Sequence, residues 1–165
     1  MRIASHVCAL TLVASAALLA AGAATGMTHA ARAVVTVRTT GLGKVLADQR
    51  GRTLYLFEKD KRGISACSGS CASFWPPLLT TGKPRVGPGI KPSLLGTTRR
   101  SDGRAQVTYG GHPLYRFSLD ARPGQTKGEG LDDFGAHWYA VSPKGAKVVK
   151  AAASGGGYPG YPPRR

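Results

Sequence analysis

The sequence predicts an all-β domain: two related β-hairpin repeats sharing one core, with one disulfide and long irregular loops. Three observations predict it. A ten-residue stretch occurs twice, at 51–60 and 111–120, and the copies agree at Gly, Leu, Tyr, Phe and Asp. Each copy follows a short strand-like run that ends in a turn. No stretch carries a long 3.6-residue apolar period, and only a helical turn is expected, over Ser70 to Phe74. The sixty-residue offset between copies is too long for a solenoid unit and suits a duplicated half-domain.

In chain order, residues 1–33 read as a secretory signal peptide. Arg2 gives a basic start, Val7 to Ala24 is apolar or small, and Ala31-Arg32-Ala33 is the best cleavage site, with Thr28-His29-Ala30 next. Retention as a membrane anchor is the alternative, since the apolar run is barely long enough to span. Cys8 lies at the front of the run, where it cannot serve as a lipobox cysteine. Residues 34–149 form the two-repeat domain. Residues 150–165 are rich in Ala, Gly, Pro and Tyr, end on Arg164-Arg165, and are expected to be disordered.

Within the domain, Val34 to Arg38 and Lys44 to Ala47 read as strands, joined by a glycine-containing loop. The turn Asp48-Gln49-Arg50-Gly51 leads into a motif strand over Thr53 to Lys59. Pro76-Pro77 ends the helical turn and favours an extended exit. Residues 80–104, with Pro84, Pro88 and Pro92, read as the longest irregular connection, on the surface. The second half repeats the plan with Ala105 to Tyr109, Gly110-Gly111, and a motif strand over Pro113 to Leu119. A glycine-rich loop then leads to a strand around Trp138-Tyr139-Ala140-Val141. Pro143-Lys144-Gly145 turns it, and Ala146 to Val149 pairs back.

Side chains alternate across a strand, so Tyr55 and Phe57 share one face, as do Tyr115 and Phe117. That shared aromatic face is the expected core face. Asp60 and Asp120 close the two motifs. Turn-capping carboxylates that bond backbone amides two residues on explain both; a paired catalytic or metal site is the functional alternative.

Cys67 and Cys71 are the only cysteines after the leader, and in an oxidising compartment so close a pair is read as a disulfide. Its short loop limits the chain-entropy gain to about 2 kcal/mol, and its expected task is to pin the turn presenting Phe74-Trp75. The alternative is a copper or thiol-redox site using Cys67, Cys71 and His137, two soft sulfurs and an imidazole. His112 falls in a hairpin turn, and His137 falls opposite Trp138 and so toward solvent. Asp132-Asp133 is a weak calcium candidate and reads as a solvated loop. There is no Gly-x-Ser-x-Gly elbow and no glycine-rich phosphate loop.

The formal net charge is +15, and the leader removes Arg2 and Arg32 but no acid. So basic a chain favours anionic partners. Its Lys and Arg are spread along the chain, without a basic block or an aromatic-plus-basic strand, so no specific nucleic acid is expected. The segments Tyr55-Leu56-Phe57-Glu58-Lys59-Asp60 and Tyr115-Arg116-Phe117-Ser118-Leu119-Asp120 resemble the motif of a secreted-repeat family that includes lipoproteins. The cysteine segment 67–78 and the closing segment 134–141 also look like that family, so the resemblance covers roughly residues 41–145. It implies a bacterial secreted or cell-envelope protein and supplies no activity. The expectation is a non-enzymatic envelope or extracellular binding or structural protein with no cofactor. Its partner would be an anionic envelope polymer, a membrane surface or an envelope protein.

Overall fold

A computed structural model describes residues 32–149, and the architecture is β throughout apart from one five-residue helix and a 3-10 turn. The leader, except Arg32 and Ala33, and the tail expected at 150–165 lie outside the described residues. Ala33 is buried; its N–H donates to Thr80 Oγ1 and its carbonyl accepts from Arg85 N. The packed domain therefore takes in the residue assigned to the end of the leader.

Strand β1 (Val34–Thr40) pairs antiparallel with β2 (Gly43–Asp48), in register from Val35↔Asp48 to Thr40↔Gly43. Its run of Val and Thr suits a pleated, half-buried surface. After β3 (Tyr55–Phe57) comes helix α1 (Ser70–Phe74), where the sequence places a helical turn. Strand β4 (Arg85–Val86) pairs parallel with β1. Strand β5 (Leu95–Arg99) pairs antiparallel with β6 (Ala105–Tyr109), and β6 pairs with β7 (His112–Pro113). Strand β8 (Asp132–Asp133) pairs with β9 (Ala136–Ala140), which also pairs with β3. The described strands thus form three small sheets, ordered β2-β1-β4, β3-β9-β8 and β5-β6-β7.

Residues 80–104 depart from the expected irregular connection, since they contain β4 and β5. Leu-Gly-Thr-Thr-Arg has no apolar alternation, and its strand state comes from pairing with β6. The hairpin β5–β6 is the second half's counterpart of β1–β2. At the tip between β6 and β7, Gly110 and Gly111 both have positive φ, 60° and 85°, which a tight two-residue turn requires.

The motif strands are also shorter than expected, because each motif changes partner midway. Leu54 N donates to Leu46 O and Leu114 N to Val107 O, the return arms of two hairpins. One residue later the copies meet each other. Tyr55 N donates to Tyr115 O and Tyr115 N to Tyr55 O, both at 2.9 Å. Beyond this crossing, Leu56 and Phe57 pair with Tyr139 and Trp138 of the second half. Reciprocally, Arg116 N donates to Pro76 O and Ser118 N to Phe74 O of the first. Each half therefore supplies the closing segment that completes the other. The two repeats are one folding unit related by a pseudo-twofold through the Tyr55–Tyr115 pair.

This crossing corrects the expectation of a single core face. Leu54, Leu56 and Leu114 enter one apolar cluster with Val35, Leu46 and Val107. Tyr55, Phe57, Tyr115 and Phe117 enter a second, with both tryptophans and both cysteines. Alternation still sorts the side chains, but the motif is a wall between two clusters and both faces are covered.

Candidate functional site

The aromatic cluster holds a stack of four rings across the pseudo-twofold. Phe57 lies on Trp138 at 4.0 Å and 7°, Trp138 on Trp75 at 3.9 Å and 5°, and Trp75 on Phe117 at 4.3 Å and 28°. Tyr55 meets Trp75 edge-on at 5.4 Å, and Tyr115 meets Trp138 edge-on at 5.1 Å. Each half contributes one Phe, one Trp and one Tyr in matched roles. Gly128 backs the stack, and a Cβ there would meet Trp75 at 2.7 Å. The Cys67–Cys71 disulfide closes the turn into α1, and Trp75 N donates to Cys71 O, so the cross-link fixes the start of the segment that delivers Trp75.

The motif acids are placed by the same symmetry. Tyr55 Oη donates to Asp120 Oδ2 at 2.6 Å, and Tyr115 Oη donates to Asp60 Oδ2 at 2.8 Å. The other carboxylate oxygens accept from backbone: Asp60 Oδ1 from Ala66 N and Asp120 Oδ1 from Lys127 N. The sequence reading had each Asp bonding an amide two residues on within its own turn. The bonds instead reach six and seven residues on and cross to the other copy's tyrosine. Neither carboxylate forms a salt bridge among the described residues. Burial pushes Asp60 up to about 6 and raises Asp120 as well. Burial, then the charge of the facing Asp, raises both tyrosine hydroxyls.

Asp133 has a role that composition did not show. It is in β8, not a solvated loop. Its Oδ2 accepts from Trp75 Nε1 at 3.2 Å and its carbonyl from Trp138 Nε1 at 3.1 Å, so one residue satisfies both stacked indoles. Glu129 is the other group that sequence reasoning passed over. Its Oε2 accepts from Ala140 N at 2.7 Å, while Oε1 is buried with no hydrogen-bond partner. Burial pushes this carboxyl to about 7. The raised folded value means that the neutral acid is the form the fold prefers. Glu129 therefore favours folding most below its ordinary value of 4.5, and this contribution is lost as pH rises to about 7. Glu129→Gln is expected to gain stability over the parent at pH 8 but not at pH 4, read from denaturant midpoints at the two pH values. Part of the slope it retains comes from the other buried carboxyls, Asp60, pushed up to about 6, and Asp120, also raised.

A cleft of about 430 Å³ opens beside the first motif, lined among others by Phe57, Glu58, Asp60, His112 and Lys147. Burial and the Arg62 charge lower His112, and Lys147 Nζ donates to Glu58 Oε1. Both Asp60 oxygens already accept protein hydrogen bonds, so its carboxylate is held as a structural acceptor. His137 sits exposed on β9, on the opposite side of the strand from Trp138, as expected. It makes no metal-type cluster with the cysteines among the described residues, and their two sulfurs are bonded to each other.

Fold and site define a two-repeat β domain whose halves exchange closing segments and whose shared motif builds the joint core. Residues 36–79 and 96–142, together more than half of the chain, match the model of a family described as a secreted repeat of unknown function, and the chain belongs to that family. Each matched stretch begins in or beside a hairpin and ends in a closing segment, so the family repeat and the pseudo-symmetric half coincide. No curated protein and no solved structure matches the chain. Among the described residues no helix is long and apolar enough to cross a membrane.

Proposed function

We propose that the protein is an exported, non-enzymatic binding module of the cell envelope or extracellular space, and that its partner is an anionic envelope polymer. One observation carries this reading. Of the eight acids, only Glu58 and Asp102 are exposed, and each is paired with a cation, Lys147 in one case and Arg100 and Arg104 in the other. The rest are at least partly buried; Asp48, Asp60, Asp120, Glu129 and Asp133 accept hydrogen bonds that hold the fold together. Arg38, Lys44, Lys59, Lys61, Lys83 and Arg122 are among the many exposed cations. Folding thus draws negative charge inward and presents a surface more cationic than the sequence average. Such a field concentrates polyanions and is screened by salt. Engagement of both motif acids by tyrosine and backbone donors supports a structural motif over a catalytic pair.

The test is co-sedimentation of the purified protein with isolated envelope material across a salt series. Binding at low salt that falls away at high salt is expected. Sedimentation that ignores salt, or is absent at low salt, overturns the reading. The copper or thiol-redox alternative has no observation in its favour while Cys67 and Cys71 are bonded together.

A further inference from the structure

Two partly buried arginines converge on one buried acid. At the turn after β2, Asp48 is 2% exposed and its carboxylate is wrapped by arginines. Its Oδ1 accepts from the backbone N–H groups of Arg50 and Arg52. Its Oδ2 accepts from Arg52 Nε at 2.9 Å, Arg52 Nη2 at 2.7 Å and Arg116 Nε at 2.9 Å. Arg116 arrives from the second motif, so the cluster exists only because the two halves cross. Beside it lies a cleft of about 280 Å³ whose lining includes Arg50, Arg52, Arg116, Leu78, Leu79 and Asp48 itself.

One carboxylate balances one guanidinium, and here two face it, those of Arg52 and Arg116. Asp48 holds Arg52 and Arg116 by their Nε edges. Arg116 Nη1 and Nη2, and Arg52 Nη1, make no hydrogen bond among the described residues. The crowding registers on the groups themselves. Burial, then the Arg52 charge, weakens the hold of Arg116 on its proton, and the Arg50 charge adds to this despite Asp48. Burial pushes the Asp48 carboxyl up, yet the hydrogen bonds and charges of the arginines prevail and the net shift is downward.

Pseudo-symmetry gives a second, independent argument. Matching hydrogen bonds set Leu46 against Val107 and Leu54 against Leu114, which makes Tyr109 the counterpart of Asp48 and Leu56 the counterpart of Arg116. Tyr109 and Leu56 are both buried in the aliphatic cluster. The symmetry-related pair, Tyr109 of the second half and Leu56 of the first, is apolar, where Asp48 of the first and Arg116 of the second are a buried acid and a partly buried arginine. A stability role alone is met by the apolar solution, which burying an ion pair seldom improves on.

We propose that this arginine cleft is a binding site for a phosphoryl group. A carboxylate presents two coplanar oxygens, which a single fork satisfies. Two guanidinium forks held at one recess, with Arg50 also in its lining, suit a compact anion with oxygens in three or more directions, and the forks match phosphate geometry. The inference deepens the polyanion reading and rests on it for the source of the phosphate. That source is an envelope polymer carrying phosphodiesters.

The test uses calorimetric titration with inorganic phosphate and with glycerol 3-phosphate against three proteins: the parent, Arg50→Gln/Arg52→Gln, and Lys44→Gln/Lys83→Gln. The last removes the same charge from exposed positions outside the cleft. Saturable binding to the parent is expected. It should weaken about tenfold or more in the arginine variant, as loss of charge-assisted hydrogen bonds implies, and hold in the lysine variant. If Arg52→Gln lowers the melting temperature, Arg50→Gln alone is read instead, since only the backbone of Arg50 bonds to Asp48. No saturable phosphate binding, or equal weakening in both variants, overturns the inference. Competition for bound phosphate by soluble poly(glycerol phosphate) supports the polymer source. Competition by phosphatidylglycerol vesicles alone overturns that source in favour of lipid headgroups. Envelope sedimentation run in parallel separates the two claims. Salt-sensitive sedimentation without phosphate binding removes the cleft and leaves the polyanion reading. Phosphate binding without sedimentation removes that reading and leaves a site for soluble phosphate.

Discussion

Trp138→Ala is expected to destabilise the protein by about 3–5 kcal/mol, the usual cost of emptying a large aromatic site in a packed core. Trp138 is fully buried, lies between Phe57 and Trp75 in the stack, and takes Tyr115 on its edge. Its removal leaves a void between the halves where collapse is hindered, because β9 is held to β3 by backbone pairing on either side. It also leaves the carbonyl of Asp133 without the indole donor. Against a total stability of about 5–15 kcal/mol for a small domain, such a loss consumes a large share. Urea titration with an unchanged slope checks the size. A shift under about 1 kcal/mol would mean that the ring stack does not hold the halves together.

The second large effect concerns the exchanged Tyr–Asp bonds. Asp60→Ala/Asp120→Ala leaves the hydroxyls of Tyr55 and Tyr115 without their carboxylate acceptors, and the amides of Ala66 and Lys127 without theirs. Each unsatisfied buried group costs about 1–3 kcal/mol, so Asp120→Ala, which strips both the buried Tyr55 hydroxyl and the Lys127 amide, is expected to cost about 2–4 kcal/mol. Asp60→Ala is expected to cost less, about 1–2 kcal/mol, because Tyr115 Oη still donates to Ser65 Oγ and the Ala66 amide is exposed. The two sites flank one Tyr55–Tyr115 pair, and the double change need not be the sum. The decisive comparison is a double-mutant cycle of Tyr55→Phe with Asp120→Ala. Coupling between these residues, sixty-five apart in sequence, is expected only if the motif acts across the repeats. Coupling near zero would return each Asp to a cap of its own turn. A paired catalytic role would show the reverse pattern, an activity lost with stability intact.

The repeat, the β class, the disulfide pair and the helical turn were legible because each is written locally. Gly-x-x-Leu-Tyr-x-Phe-x-x-Asp recurs as a string, alternation is a two-residue property, and Cys67 and Cys71 are neighbours. The short strand β5 was illegible because Leu-Gly-Thr-Thr-Arg has no pattern of its own and becomes a strand by pairing with β6. Asp133 could be found only as one acid of a pair, since nothing in sequence says that two indoles will converge on it. The arginine cleft joins Arg50 and Arg52 to Arg116 across more than sixty residues, and a reading of charge along the chain sees only scattered cations.

By itself the sequence determined that two copies of one half exist, which residues they share, and that the shared aromatics and acids belong together. Only the tertiary structure decided with whom they pair. Tyrosine of one copy bonds aspartate of the other, and each closing segment completes the opposite half. The physical reason is that neither half can satisfy its buried hydroxyls or cover both faces of its motif alone. Those requirements are met only by a long-range partner, and hydrogen bonding between distant segments leaves no local signature.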